Sequence, residues 1–234
     1  MKNSILKKAI LYISILTSFF SYAQNDDAHV WTGVGVSYDV IEDITIDYKT
    51  QTRFYKNASS LRVFMNQVGA SFKITKGVKA GVDYRYSRKK KDYYFVNENR
   101  FILYGSYGYK IPEISTKISA RVKYQHSFDR LNTINETITP NTSDVFRIKI
   151  SAKYKNSNFK RVQPFVGYEY FESLNATSNQ FGKTRYRISL GLNLDLPMKH
   201  AVKLNYIYQS TQKTIPEVDH IFAIQYSYDL SNLF

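Results

Sequence analysis

The stretch Asp219-His220-Ile221-Phe222-Ala223-Ile224-Gln225-Tyr226-Ser227-Tyr228-Asp229-Leu230-Ser231-Asn232-Leu233-Phe234 ends the chain and decides how the rest is read. His220, Phe222, Ile224, Tyr226, Tyr228, Leu230 and Phe234 share one parity, and Ala223, Gln225, Ser227, Asp229 and Ser231 the other. A period of two is the signature of a strand, because successive side chains leave opposite faces of the pleat. An alternation this long with an aromatic last residue is how a transmembrane β-barrel closes. Tyr226, Tyr228 and Phe234 are the membrane signal within it, of the kind by which barrel-assembly machinery recognises its clients, although Asn232 sits where an apolar residue is usual.

The other end of the chain agrees. Lys2, Lys7 and Lys8 precede an apolar run from Ala9 to Phe20, and Ser21-Tyr22-Ala23 offers a small-x-small cleavage signal. This pattern predicts a signal peptide over 1–23, since the run is too short for a spanning helix of about 20 residues. Its removal leaves one domain over 24–234, and the loss of three lysines takes the net charge from +14 to +11. No cysteine is present, which excludes a lipid-modified cysteine, a disulfide framework and thiolate metal sites. The mean hydropathy of -0.39 looks soluble, but a barrel hides its apolar half in alternation.

The same period recurs from Val30 onward. In Thr184–Leu196, Tyr186, Ile188, Leu190, Leu192, Leu194 and Leu196 oppose Arg185, Arg187, Ser189, Gly191, Asn193 and Asp195. Eleven strands are predicted, near 29–40, 44–55, 61–75, 78–88, 98–110, 116–128, 144–154, 162–171, 183–196, 200–210 and 219–231. Short connections such as 41–43, 75–77, 112–113 and 197–199 alternate with longer ones at 129–143 and 172–182, the asymmetry of periplasmic turns against outer loops. Tyrosines sort with it. Tyr84, Tyr86, Tyr124, Tyr168, Tyr170, Tyr186, Tyr206 and Tyr208 fall near outer ends, and Tyr107, Tyr109, Tyr154, Tyr226 and Tyr228 near inner ends, giving two interfacial girdles. The expected fold is therefore all-β, an antiparallel transmembrane barrel of roughly 10–12 strands in the outer membrane of a Gram-negative bacterium. Bacterial single-chain barrels have even strand counts, so Val30–Val40 is expected either to stand inside or beside a ten-stranded wall or to belong to a wall of twelve.

The inward parity is basic. Arg53, Arg85, Arg121, Lys123, Arg147, Lys149, Arg185 and Arg187 lie on it, with Lys49, Lys73, Lys153 and Lys203, against Asp47, Asp83, Glu169, Asp195 and Asp229. A water-filled lumen of this kind would be porin-like and concentrate anions. The alternative is a narrow lumen plugged by arginines and lysines cross-linked to acids and carbonyls, and the small strand number favours it. The run Arg88-Lys89-Lys90-Lys91 at an outer hairpin offers charge to lipopolysaccharide phosphates, so outer-membrane lipids are the expected partners. Basic residues spread over many strands do not form a groove-reading element, which argues against nucleic acid.

Catalytic signals are thin. The histidines are His29, His126, His200 and His220. A lipid hydrolase would need a serine and a histidine within hydrogen-bond reach at the outer rim. His126 and His220 are the candidates, but His126 and Ser127 are adjacent and point to opposite faces, and a serine such as Ser127 or Ser210 could serve His220 only across the barrel. No spacing suggests a metal, and no cofactor is expected.

Trp31 in a first strand, a tight hairpin into Asp47-Tyr48-Lys49-Thr50-Gln51-Thr52-Arg53-Phe54, then Gly81-Val82-Asp83-Tyr84-Arg85-Tyr86, then Asn99-Arg100-Phe101 and a tyrosine-rich final strand resemble the domain of unknown function 2490 family of small outer-membrane proteins. The resemblance covers nearly the whole mature chain, implies the same fold and location, and brings no activity or catalytic residues. The expected role is non-enzymatic, structural or weakly anion-permeable. The alternatives are a lipid- or lipopolysaccharide-modifying hydrolase and a secreted ligand-binding β-barrel, the last requiring an inward apolar face.

Overall fold

The computed structural model describes residues 27–91, 94–130, 142–155, 161–174, 184–212 and 217–231. The expected signal peptide and Phe234 lie outside these residues, as does most of the 129–143 and 172–182 connections. Among the described residues eleven strands follow one another: β1 (Asp27–Ile41), β2 (Ile44–Tyr55), β3 (Ser60–Thr75), β4 (Val78–Lys90), β5 (Phe95–Ile111), β6 (Thr116–Arg130), β7 (Thr142–Tyr154), β8 (Val162–Ser173), β9 (Thr184–Asp195), β10 (His200–Thr211) and β11 (Glu217–Asp229). They form one closed barrel in which each strand pairs with its sequence neighbours and β1 meets β11.

The alternation sets the faces. Val34, Ile46, Val68, Phe72, Val82, Leu103, Ile150 and Leu190 are all exposed on the outer surface, while the intervening residues turn inward. Strands reach further than their apolar patterns toward the end that carries the β6–β7 and β8–β9 connections. In the β4–β5 hairpin, for instance, pairing continues to Lys90 opposite Phe95. At the opposite end, here the short-turn end, Gly77 takes φ 91 between β3 and β4, a conformation open to glycine at no steric cost.

The even strand count expected above is corrected. Val30–Val40 is neither inside nor beside a ten-stranded wall, and among the described residues no twelfth strand completes it: β1 is a full member of an eleven-stranded closed wall. Consecutive strands reverse direction, so with an odd number the first and last run the same way and closure must be parallel. That is what β1 and β11 do, in register from Asp27 opposite Asp219 to Ser37 opposite Asp229. Parallel pairing is somewhat weaker per residue, and this seam carries extra side-chain fastening. Near the long-loop end His29 faces Asp219 at 3.6 Å. Midway, Trp31 packs on Ile221 and Ile207 inside the lumen. At the short-turn end Asp39 N–H donates to Ser231 Oγ at 2.9 Å, and Leu230 N–H to Ser37 O at 2.8 Å.

The seam can be checked directly because the chain has no cysteine. Thr32→Cys with Ile224→Cys, opposite each other in the parallel register, is expected to form a disulfide on mild oxidation. Thr32→Cys with Tyr228→Cys, displaced by four residues or about 13 Å, is expected not to. Non-reducing gel mobility reads the difference, and cross-linking of the second pair alone would show a different closure.

Candidate functional site

An eleven-stranded wall lies between barrels filled by side chains and those wide enough to conduct, so the inward residues decide the state of the lumen. They differ between its two halves.

In the long-loop half the lumen is packed. Ile221 is 0% exposed and Ile102 1%, and Val63, Met65, Val96, Trp31, Phe171 and Ile207 are buried with them, all on inward positions. Arginines stack between the aromatic rings. The Arg53 guanidinium lies 3.9 Å from the Trp31 ring centroid, Arg187 lies 5.2 Å from Trp31 and 4.6 Å from Phe171, and Arg147 lies 4.3 Å from Phe171. Desolvated contacts of this kind are worth about 2 kcal/mol each. β9 and β1 are not neighbours in the wall, so the Arg187–Trp31 contact reaches across the interior.

Hydrogen bonds tie this layer to the wall. Glu169 accepts from Arg147 at 2.6 Å and lies 3.9 Å from Arg187. Arg187 Nε donates to Gln209 at 2.6 Å, Gln209 donates to Asp219, and Asp219 faces His29. On the opposite wall Arg85 places two N–H groups on Gln67 Oε1, at 2.9 and 2.6 Å. Arg100 pairs with Glu98 at 2.8 Å, and Lys89 also binds that carboxylate.

The short-turn half is a cup. Inward Lys79, Lys110, Lys117 and Arg121 are exposed, so water reaches them from that end. Lys123 extends past Tyr104 to Asp83 at 3.8 Å, Lys49 meets Asp47 at 3.1 Å, and Lys203 lies over the Phe165 ring at 4.4 Å. Lys149 stands opposite Arg121 on β6 and Glu169 on β8. The cup is strongly cationic and the packed layer forms its floor.

The basic residues singled out from sequence thus fall into two groups. Arg53, Arg85, Arg147, Arg185 and Arg187 belong to the packed half, and Arg121, Lys123 and Lys149 to the cup. Among the described residues His126 is not brought to Ser127, whereas Ser210, expected to reach His220 only across the barrel, stands on the adjacent strand β10 and on the same face, Tyr208 lying opposite His220 and Ser210 opposite Val218. His126 Nδ1 lies 2.7 Å from Asp144 on the outward face, where Tyr124 donates to the same oxygen, whereas Ser127 points inward and donates to the Ser143 carbonyl. His220 Nδ1 meets the Tyr206 hydroxyl at 2.6 Å and packs against Tyr206 and Tyr208. Both lie on the outward face against aromatic rings, as do Tyr226 and Tyr228, which stack on His200. Other outward tyrosine hydroxyls also find partners, Tyr84 on Asn99 at 2.6 Å and Tyr86 on Asn97 at 3.0 Å. His126→Ala is accordingly expected to cost no more than about 1 kcal/mol, the worth of a partly exposed hydrogen bond, measured by urea unfolding in micelles.

Trp31, Phe171, Ile207, Ile221, Glu98 and Arg100 were not among the candidates. The signal of the four apolar ones was present as apolar residues on the polar parity: Ile221 stands between Asp219 and Ala223, and Ile207 between Asn205 and Gln209. The outward surface also has an apolar groove of about 670 Å³, where Ala70, Ala80 and Gly105 leave a hollow between Phe72, Leu103 and Phe146. No group of three or more metal-ligating side chains occurs among the described residues.

A family model for proteins of unknown function, DUF2490, matches residues 28–219, most of the chain and nearly the whole barrel. The chain belongs to the DUF2490 family. No match is found among curated proteins. Solved structures similar to this DUF2490 barrel include the translocator domain of the autotransporter NalP from Neisseria meningitidis, with TM-score 0.53 and 11% identity over 88% of this chain and 91% of that one. The β domain of the Bordetella autotransporter BrkA aligns with TM-score 0.50 and 13% identity over 76% and 78%. LpxR from Salmonella typhimurium aligns with TM-score 0.50 and 7% identity over 80% and 83%. At these identities the likeness is one of fold, an outer-membrane-type β-barrel.

Proposed function

We propose that this DUF2490 protein is a non-enzymatic outer-membrane barrel of a Gram-negative envelope that does not conduct, its lumen closed on the outer side and open as a cationic cup to the periplasm. One observation carries the reading: the buried layer of Trp31, Phe171, Ile207 and Ile221 with arginines stacked between the rings. Water and ions need a continuous polar path, and this layer interrupts it. The exposed apolar outer face bounded by tyrosines supports a membrane location over a soluble ligand-binding barrel, which would keep its apolar face inside. Arg88, over the Phe95 ring, and exposed Lys90 stand outward above the girdle, where they suit lipopolysaccharide phosphates, whereas Lys89 turns inward to Glu98.

Planar-bilayer recording of the refolded protein tests this reading. No steady current is expected from the native chain, and removing the floor with Phe171→Ala and Arg187→Ala together is expected to yield anion-selective steps. A stable open level in the native protein would overturn the closed-lumen reading and leave an anion-permeable pore.

A further inference from the structure

We infer that the arginine layer is an anion-binding site, in which a compact oxyanion entering through the lysine cup sits among Arg53, Arg85, Arg100 and Arg147. The inference rests on the closed-lumen reading only for the route of entry. Charge is the first ground. Arg53 interacts electrostatically with Arg85, Arg100, Arg147 and Arg187, so five guanidiniums converge, while the carboxylates bonded to them are Glu98 and Glu169. Asp83 also acts on Arg85 and Asp219 on Arg187, so among the described residues the five guanidiniums meet four carboxylates, and a positive excess remains because Lys89 shares Glu98 and Lys123 shares Asp83. Arg53 and Arg85 are held by neutral groups, Gln51, Gln67 and the Trp31 ring. Arginine does not shed its proton in a protein, so the excess cannot be relieved by titration. A buried uncompensated charge is costly, and a bound anion removes that cost.

Unfilled donors are the second ground. Among the described residues, the buried side-chain N–H groups that find no acceptor in the protein are Arg100 Nε, Gln125 Nε2, Arg147 Nε and Arg185 Nε. The first three come from adjacent strands. Gln125 stands opposite Ile102 on β5 and Val145 on β7, so Arg100 and Arg147 are each two residues from its partners on either side. Arg100 Nη1 touches Gln125 Oε1 at 3.4 Å. Buried donors normally find partners, and three orphans on one stretch of wall beside surplus guanidiniums mark a place for an acceptor. Planar N–H forks suit phosphate and carboxylate oxygens. The route is also built: Lys123 stands opposite Arg147, and beyond it Arg121 and Lys149 face the open cup.

Trp31, the one tryptophan of the chain, is stacked on Arg53 and so reports on the layer. The test is titration of the lipid-free, micelle-refolded protein with inorganic phosphate, sulfate and acetate against chloride at constant ionic strength, following Trp31 emission. A saturable change is expected with phosphate or acetate, and the better of the two names the oxyanion class. Arg100→Gln is expected to raise the half-saturating concentration about tenfold or more, since a charge-assisted bond is lost. Gln125→Leu, which removes an orphan donor without changing charge, is expected to raise it several-fold. Lys117→Gln at the cup rim is expected to leave it within about twofold, as exposed charges contribute little. If Arg100→Gln does not refold, Gln125→Leu alone decides. Emission that follows ionic strength regardless of the anion, or half-saturation unchanged in these variants, would overturn the site. Bilayer conductance is a separate readout, so failure here is distinguishable from failure of the closed lumen.

Discussion

Trp31→Ala is expected to lower the unfolding free energy by about 3–5 kcal/mol, the range for truncating a large buried aromatic. Trp31 is 8% exposed and packs on Ile207 and Ile221, so the truncation opens a cavity in the least solvated part of the lumen. It also removes the ring on which Arg53 and Arg187 stack. The loss falls on the parallel seam, where β1 and β11 depend on this contact at mid-height. Heat-modified migration in SDS gels, or urea unfolding followed by circular dichroism, measures it. Trp31→Phe is expected to recover more than half of the loss, because a smaller ring still fills the site and faces both arginines. A Trp31→Ala variant as stable as the native chain would mean that the seam is held by its backbone ladder alone.

Glu169→Gln is expected to be as damaging, by about 3–5 kcal/mol, although it changes no volume. Glu169 is the carboxylate between Arg147 and Arg187, whose side chains are 13% and 11% exposed. An amide still accepts a hydrogen bond but supplies no charge, which leaves Arg147 without its bonded carboxylate and Arg187 with only the more distant Asp219, in a layer already in positive excess. Glu169→Asp is expected to cost less, keeping the charge and losing reach. Glu113→Gln, at an exposed turn between β5 and β6, is the control and is expected to change stability by no more than about 0.5 kcal/mol. The same unfolding assay separates the two carboxylates, and equal small effects would show that the ion pairs of the layer are solvated.

Much of this was legible along the chain. Every strand from β1 to β11 has its counterpart in the alternation of apolar and polar residues, because a two-sided wall between hydrocarbon and lumen imposes a period of two on each segment. The outward parity of the tyrosines was legible for the same reason. Tyr84, Tyr124 and Tyr206, with their hydroxyls on Asn99, Asp144 and His220, nevertheless stand near the middle of β4, β6 and β10 rather than near strand ends, because those strands continue past their apolar patterns. The inward parity of Arg53, Arg85, Arg147 and Arg187 was equally readable. Their company was not. Whether an inward arginine points into water or stacks on Phe171 depends on which strands lie across the lumen, and that is a property of the closed wall.

The strand count shows the division most clearly. The residues of β1 announced a strand starting at the long-loop end, and its parity with β11 was already fixed by the number of reversals between them. A general preference for even barrels pointed elsewhere. Sequence by itself determined the elements, their direction and their two faces, because those follow from local periodicity and turn chemistry. Only the tertiary structure decided that β1 and β11 close in parallel, that Trp31, Ile207 and Ile221 pack the seam, and that the arginines form a layer over an open cup. Each of these depends on residues far apart in the chain meeting across the barrel, where shape and charge balance rather than spacing select the partner.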